Sequence, residues 1–184
     1  QVLFEPNDNC FDFYCDLANQ KWSLWSDGVH GIHLNENHRL ENEFIPNLLN
    51  SPIYFFSKLL ISNDYSLLVH GPESSKTLMM KHLMKNSLDL TKFDCHVLPL
   101  SNCSTPNSIS NFFKYYSPLN GMKMVFFIDN MGSVKPEIYG AQPALELLRQ
   151  FFDQHGWYNA SSVEFNGIIG ANIIGAMGIP GGGL

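Results

Sequence analysis

The chain has 184 residues and a mass of 20.8 kDa, about one domain's worth and long enough to bury a core without disulfides or a structural metal. Hydrophobic residues make up 45% and charged residues 15%, which excludes intrinsic disorder and a coiled coil. Lys plus Arg number 11 against 17 Asp plus Glu, a formal net charge of -6, so no global field draws in nucleic acid or anionic lipid and any phosphate must be held locally.

Residues 10–25 alternate, with Phe11, Phe13, Cys15 and Leu17 on one side, a polar break at Ala18-Asn19-Gln20, then Trp22 and Leu24. This predicts a β-hairpin whose aromatic face, Trp22 and Trp25 included, packs outside the main core, against this unit or a neighbouring one. Residues 26–43 keep no period and read as a linker. His30, His33 and His38 fall there without a fourth ligand at fixed spacing, so no metal site is expected.

Cys10, Cys15, Cys95 and Cys103 are spaced too widely for CxxC and are expected as ordinary buried thiols in a reducing compartment. On that reading the sequons Asn102-Cys103-Ser104 and Asn159-Ala160-Ser161 carry no glycan. The absence of a basic-then-apolar leader and of a long apolar run predicts neither signal peptide nor membrane span. The ends, Gln1 and a Gly-rich run before Leu184, suggest a piece of something larger.

After Pro52, Ile53, Phe55, Phe56, Leu59 and Leu60 recur at helical spacing, and Asn63-Asp64 ends the run before a strand at 65–69. Nearly all-apolar strands follow at 95–100, 124–128 and 168–176. Helices are predicted at 76–87, 108–116 and 144–155, the last with Pro143 in its first turn. Strand alternating with helix predicts an α/β layer: a parallel sheet with helices on both faces and right-handed crossovers.

The first of these strands runs into His70-Gly71-Pro72-Glu73-Ser74-Ser75-Lys76-Thr77 and then a helix. That is the order of a P-loop, where backbone N–H groups and a helix N-terminus cradle phosphates, Lys reaches the terminal phosphates and Thr holds magnesium. Gly71, Pro72, Ser74, Ser75, Lys76 and Thr77 are therefore the candidate nucleotide-binding residues. The agreement is incomplete. The motif G-x-x-x-x-G-K-[ST] needs one more residue between Gly71 and Lys76, Ser75 stands in place of the last Gly, and Glu73 adds a negative charge. A bland loop with a chance Lys-Thr explains these residues alone about as well.

Met124-Val125-Phe126-Phe127-Ile128-Asp129 is an apolar strand ending in a carboxylate, the Walker B arrangement, 52 residues beyond Thr77 (129 minus 77). Lys76 and Asp129 are expected at adjacent strand ends facing one pocket. Asn130 occupies the position where a second acid would activate water, and its amide cannot take that proton. Binding and hydrolysis therefore separate.

Three stretches, Tyr139-Gly140-Ala141-Gln142-Pro143-Ala144-Leu145-Glu146-Leu147-Leu148-Arg149-Gln150, His155-Gly156-Trp157-Tyr158 and Gly175-Ala176-Met177-Gly178-Ile179-Pro180-Gly181-Gly182-Gly183, closely resemble the third AAA+ module of axonemal-type dynein heavy chains. Phe11-Asp12-Phe13-Tyr14, Lys21-Trp22, Trp25 and Ile45-Pro46 are similar to the segment entering that module, so the resemblance covers nearly the whole chain.

The resemblance implies a P-loop AAA+ large subdomain over 44–184, truncated before its end, with 1–43 as a hairpin and linker leading in. It implies a parent with a ring of AAA+ modules, an ATP-driven microtubule motor of cilia, in which this module regulates the main ATPase. By position Lys76 and Thr77 match Walker A, Asp129 matches the Walker B acid, and Asn130 departs from the second acid, leaving no catalytic residue assigned. Met177 or Gly178 falls at the sensor end of the fourth strand, and Arg149 reads as a salt-bridge residue.

The implied cofactor is ATP or ADP, held weakly, with magnesium on Thr77 and Asp129 only if nucleotide is bound. The implied partners are neighbouring AAA+ modules of the same heavy chain and, through the parent, microtubules and other dynein subunits, with no nucleic acid and no membrane. The implied location is the cytoplasm and the ciliary or flagellar axoneme. The leading reading is a degenerate, non-hydrolysing regulatory or structural unit; the alternatives are a catalytically active P-loop NTPase module and a nucleotide-free scaffold.

Overall fold

The apolar run at 124–128 lies within a strand, Lys123–Asp129, that is buried from Met124 onward. Successive side chains point to opposite faces, so Val125 and Phe127 enter one apolar layer while Met124, Phe126 and Ile128 enter the other. A strand covered on both faces has no reason to alternate, and each fully buried side chain contributes roughly 1.5–3 kcal/mol.

In the computed structural model, residues 9–16, 19–29, 44–72, 75–116, 121–159 and 162–179 are described. Strands β1 (Phe13–Asp16) and β2 (Lys21–Leu24) form an antiparallel hairpin. Then come α1 (Asn50–Ser62), β3 (Leu67–His70), α2 (Lys76–Asn86), β4 (Phe93–Pro99), α3 (Pro106–Tyr115), β5 (Lys123–Asp129) and α4 (Pro143–Gln154). A small antiparallel hairpin, β6 (Gly156–Tyr158) and β7 (Phe165–Gly167), precedes β8 (Ala171–Met177).

The helix starts are set locally. Asn47 Oδ1 accepts from the N–H groups of Leu49 and Asn50 while Asn50 Oδ1 accepts from Asn47 N, which closes the entry to α1. Thr105 and Ser108 form a reciprocal capping box at α3, and Pro106 and Pro143 occupy first-turn positions whose missing N–H costs nothing. Helix α4 stops at His155, whose φ of 52° is left-handed.

Four strands make one parallel sheet in the order β3-β8-β5-β4. The chain crosses from β3 to the far edge at β4 and then returns through β5 to β8. Right-handed crossovers running in opposite directions place their helices on opposite faces. Accordingly α1 and α2 build one layer with Ile61, Met80 and Leu83, and α3 and α4 build the other with Ile109, Phe113 and Phe151. The expected α/β layer with helices on both faces and a preceding hairpin is therefore observed.

Three expectations need correction. The strand that leads into the Lys76 loop and the strand that ends at Asp129 are not neighbours, because β8 lies between β3 and β5. The hairpin docks through Tyr14 rather than through the Phe11 and Cys15 side: Tyr14 stacks on Trp25 at 4.5 Å and reaches Phe55 of α1 at 5.2 Å, while Phe11 and Cys15 are exposed. Trp25 is buried against Phe55, outside both sheet layers as expected, and Trp22 is 45% exposed.

The third correction concerns the thiols. Cys10, Cys15 and Cys103 are exposed, and only Cys95 is partly buried. Burial, with a smaller contribution from Asp94, pushes the Cys95 thiol up to about 11 and leaves it protonated at neutral pH. The β6–β7 hairpin also interrupts the simple strand-helix alternation. His30, His33 and His38 lie outside the described residues, as do most of the predicted linker's positions. Among the described residues no helix is long and apolar enough to cross a membrane.

Candidate phosphate-binding site

The site is built at the C-terminal edge of the sheet, beside the point where the crossovers change face. In doubly wound sheets ligands lie in the crevice at such a point. Register places His70 of β3 beside Met177 of β8, and Asp129 of β5 beside Pro99 of β4, so all four strands end at this edge. Met177 thus closes β8 one strand away from both motifs, and Gly178 follows it.

Gly71 leaves β3 with a φ of 146°, and a Cβ there would meet no atom within 4 Å. The requirement for glycine is one of backbone conformation, not space. Ser75 precedes the first turn of α2 and its carbonyl accepts the Met79 N–H at 2.8 Å. The N–H groups of Lys76, Thr77 and Leu78 therefore come before the first intrahelical bond and point out of the helix end. Ser74 and Glu73 lie outside the described residues.

Lys76 folds back over the loop. Its Nζ donates to Gly71 O at 3.0 Å and to Pro72 O. An ammonium carries three donors, so one remains beyond the loop's own bonds. The same contacts fix the ammonium in place before any ligand arrives.

Thr77, one residue on, reaches across β8's end to the second motif. Its hydroxyl donates to the Asp129 carboxylate, with Oγ1 at 2.9 Å from Oδ2 and 3.1 Å from Oδ1. Asp129 is only 6% exposed and also accepts the Asn130 N–H at 3.0 Å. With its proton directed at Asp129, the Thr77 oxygen keeps its lone pairs for a cation. This donor and acceptor set, an ammonium beside helix N–H groups and a hydroxyl backed by a carboxylate, fits a phosphate with its magnesium.

Asn130 is exposed and left-handed, φ 58° and ψ 43°, and begins the 3-10 turn Met131–Ser133. Asparagine tolerates that conformation better than most residues. Sequence reading did not foresee what supports this turn. A Cβ on Gly175 of β8 would stand 2.8 Å from Met131 Sδ and 2.8 Å from Leu68 Cδ1, so the bare glycine makes room for Met131 behind Asn130. The only advance signal was a glycine inside an apolar strand.

Arg149 is engaged within its own helix. It pairs with Glu146 and Asp153 of its own helix at 2.8 Å each, and the Glu146 hydrogen bond leads the causes that raise its pKa. These contacts satisfy it within α4.

Comparison with known proteins adds the following. A family profile described as the P-loop containing dynein motor region matches residues 32–184. The chain is 29% identical to dynein axonemal heavy chain 12 of Rattus norvegicus over 98% of its own length and 6% of that protein's. It is 29% identical to dynein axonemal heavy chain 1 of Homo sapiens over 88% of the chain and 4% of the relative. It is 24% identical to the dynein beta chain, flagellar outer arm, of Chlamydomonas reinhardtii over 96% of the chain and 4% of the relative. The chain thus spans about one-twentieth of the relatives it matches.

Proposed function

The chain belongs to the P-loop containing dynein motor region family, and from that premise we propose that it is a nucleotide-binding, non-hydrolysing AAA+ unit of an axonemal dynein heavy chain, the third of its ring. On this reading residues 44–184 form the large subdomain and 1–43 lead into it. The observation that carries the reading is the Thr77–Asp129 hydrogen bond, because it joins the two motifs into one site despite the shortened loop.

The roles follow from the residues. Gly71 and Pro72 hold Lys76 through their carbonyls, and the remaining ammonium donor faces the terminal phosphates. Ser75 and the first N–H groups of α2 would line the phosphates, with fewer backbone donors than a full-length loop offers, and Ser74 joins them by sequence position alone. Thr77 and Asp129 would hold magnesium. Each lost charge-assisted hydrogen bond costs roughly 1.5–3 kcal/mol, which weakens binding by about tenfold or more without abolishing it.

Asn130 can orient a water but cannot accept its proton, and loss of a general base slows a reaction by about 10²- to 10⁴-fold. Bound nucleotide then acts as a structural ligand: it favours whichever conformation encloses it and so regulates the neighbouring modules. Microtubules, other dynein subunits and the axonemal location reach this module through the parent heavy chain.

The test is made on the full heavy chain with its principal ATPase module disabled. Binding of a fluorescent ADP analogue and single-turnover hydrolysis are measured for the native sequence, Lys76→Ala and Asn130→Glu. The expected result is binding weakened at least tenfold by Lys76→Ala, no turnover above background in the native protein, and turnover gained in Asn130→Glu. Native turnover abolished by Lys76→Ala would identify an active NTPase. Binding absent from the native protein would identify a nucleotide-free scaffold.

A further inference from the structure

Two ties cross β8 at the C-terminal edge of the sheet, one on each face. On the α2 face the Thr77 hydroxyl donates to Asp129. The other tie is apolar. Register sets Gly175 of β8 between Ile128 of β5 and Leu68 of β3. Leu67 and Val69 enter the layer built by α1 and α2, as do Ile174 and Ala176, so Leu68 and Gly175 belong to the opposite face. A Cβ on Gly175 would stand 2.8 Å from Met131 Sδ and 2.8 Å from Leu68 Cδ1. Met131 therefore leaves the end of β5 and folds back over β8, with the bare glycine as its floor and Leu68 as its far wall.

Between the two ties lies Asn130, left-handed at φ 58° and ψ 43°. In that conformation its N–H donates to Asp129 Oδ1 at 3.0 Å, and its carbonyl accepts from Ser133 N at 2.9 Å. The Asp129 carbonyl is pinned from the β4 side by the Leu100 N–H at 2.8 Å. Asp129 itself is buried, so the Thr77 hydroxyl and the Asn130 N–H are the donors that set the direction of its carboxylate here. Asn130 is exposed, and its side chain makes no capping bond to the turn that it begins.

We propose that Met131 is a positioning residue for the cation site. Seated on Gly175, it holds Asn130 left-handed, and the Asn130 N–H then turns the Asp129 carboxylate so that Thr77 and Asp129 present their oxygens together. Groups that orient a metal's ligands without touching the metal govern its affinity nearly as strongly as the ligands do. What Asn130 contributes to the cation site is then its backbone, not its amide. Asparagine and glycine reach this left-handed region readily, whereas a β-branched residue does not. An unbranched thioether suits a narrow notch of this kind, and leucine is close to it in volume. The inference rests on Thr77 and Asp129 as the magnesium holders, but the Asn130–Asp129 bond on which it turns can be measured with no ligand added.

The test uses the full-length heavy chain with its principal ATPase module disabled, and it has two arms. Hydrogen exchange read by mass spectrometry follows the Asn130 amide with no nucleotide added. A fluorescent ADP analogue is titrated in magnesium and in EDTA, and the signal that remains in Lys76→Ala is subtracted. Met131→Ala should speed exchange of the Asn130 N–H about tenfold or more. It should also cut the tightening given by magnesium about tenfold, with affinity in EDTA changed by less than about twofold, and Met131→Leu should restore both. Asn130→Gly should keep the magnesium effect and Asn130→Val should lose it. Unchanged exchange in Met131→Ala, an equal loss with and without magnesium, or Asn130→Gly behaving as Asn130→Val would each overturn the proposal. A native protein that bound no analogue would refute the nucleotide reading instead, and the exchange arm alone would then decide the role of Met131.

Discussion

The hydroxyl of Thr77, on the first turn of α2, donates to the carboxylate of Asp129, at the end of β5, although a whole strand separates β5 from the strand that leads into that helix. The bond spans 52 residues of sequence and brings the loop-following helix and the acidic strand end to one place. It makes a direct prediction. Thr77→Val keeps the shape and removes the donor, leaving Asp129 buried with the Asn130 N–H as its remaining donor here. A stability loss of about 1–3 kcal/mol is expected from urea denaturation. An unchanged midpoint would show that the bond does not hold the site together.

Trp157 and Ser110 test the opposite face of the sheet. Trp157 Nε1 donates to Ser110 Oγ at 2.7 Å inside the layer formed by Phe113 and Phe151. Trp157→Phe leaves the buried hydroxyl without this donor, and Ser110→Ala leaves the indole N–H without this acceptor. Each is expected to cost about 1–3 kcal/mol, and the double variant should cost less than the sum because the two share one bond. Strict additivity in a double-mutant cycle would count against the bond's contribution.

Two glycines should respond differently to alanine. At Gly156 a Cβ would stand 2.5 Å from Asn166 O and 2.9 Å from Gly167 Cα, both backbone atoms of the paired strand. Gly156→Ala must therefore push β6 and β7 apart and is expected to cost about 2–3 kcal/mol. At Gly175 the atoms met are side-chain ends, Met131 Sδ and Leu68 Cδ1, which can move. Gly175→Ala should cost about 1 kcal/mol and displace Met131 from behind Asn130. Thermal denaturation that ranked the two in reverse would contradict the packing described.

The thiols give a prediction in pH. Cys95, raised from 9.0 to about 11 chiefly by burial, should carry about 100-fold less thiolate at pH 8 than an ordinary cysteine. Iodoacetamide should label the exposed Cys10, Cys15 and Cys103 well before Cys95 in the folded chain. The sign for stability follows: between about pH 9 and 11 the unfolded chain has released this proton and the folded chain has not, so stability falls as pH rises through that window. Labelling of Cys95 at the pace of Cys103 at pH 8 would refute the assignment.

The helices and sheet strands were legible because their causes are local. Pro106 and Pro143 mark helix starts, and the unbroken apolar run at 124–128 marks a strand buried on both faces. The candidate site was legible for the same reason, since Gly71, Lys76 and Thr77 are neighbours in sequence and Asp129 ends its strand. The β6–β7 hairpin was not, because three-residue strands are too short to show a period and the decisive contact, Gly156 against Asn166, joins residues ten apart.

By itself, then, the sequence determined which segments form helices and strands, and it placed a lysine, a threonine and a carboxylate in the pattern of a candidate phosphate site. Periodicity and capping act over a few residues, and motifs are contiguous. Only the tertiary structure decided that β8 enters between β3 and β5, because strand order depends on which sheet face each crossover helix covers. It also decided that Tyr14 carries the hairpin onto α1, and that α1 buries Asn50 and Ser57 while Leu49 and Phe56 face outward. Its inward side also carries Ile61 in the apolar layer and Tyr54, which stacks on Phe44 and bonds to His82 and Ser87.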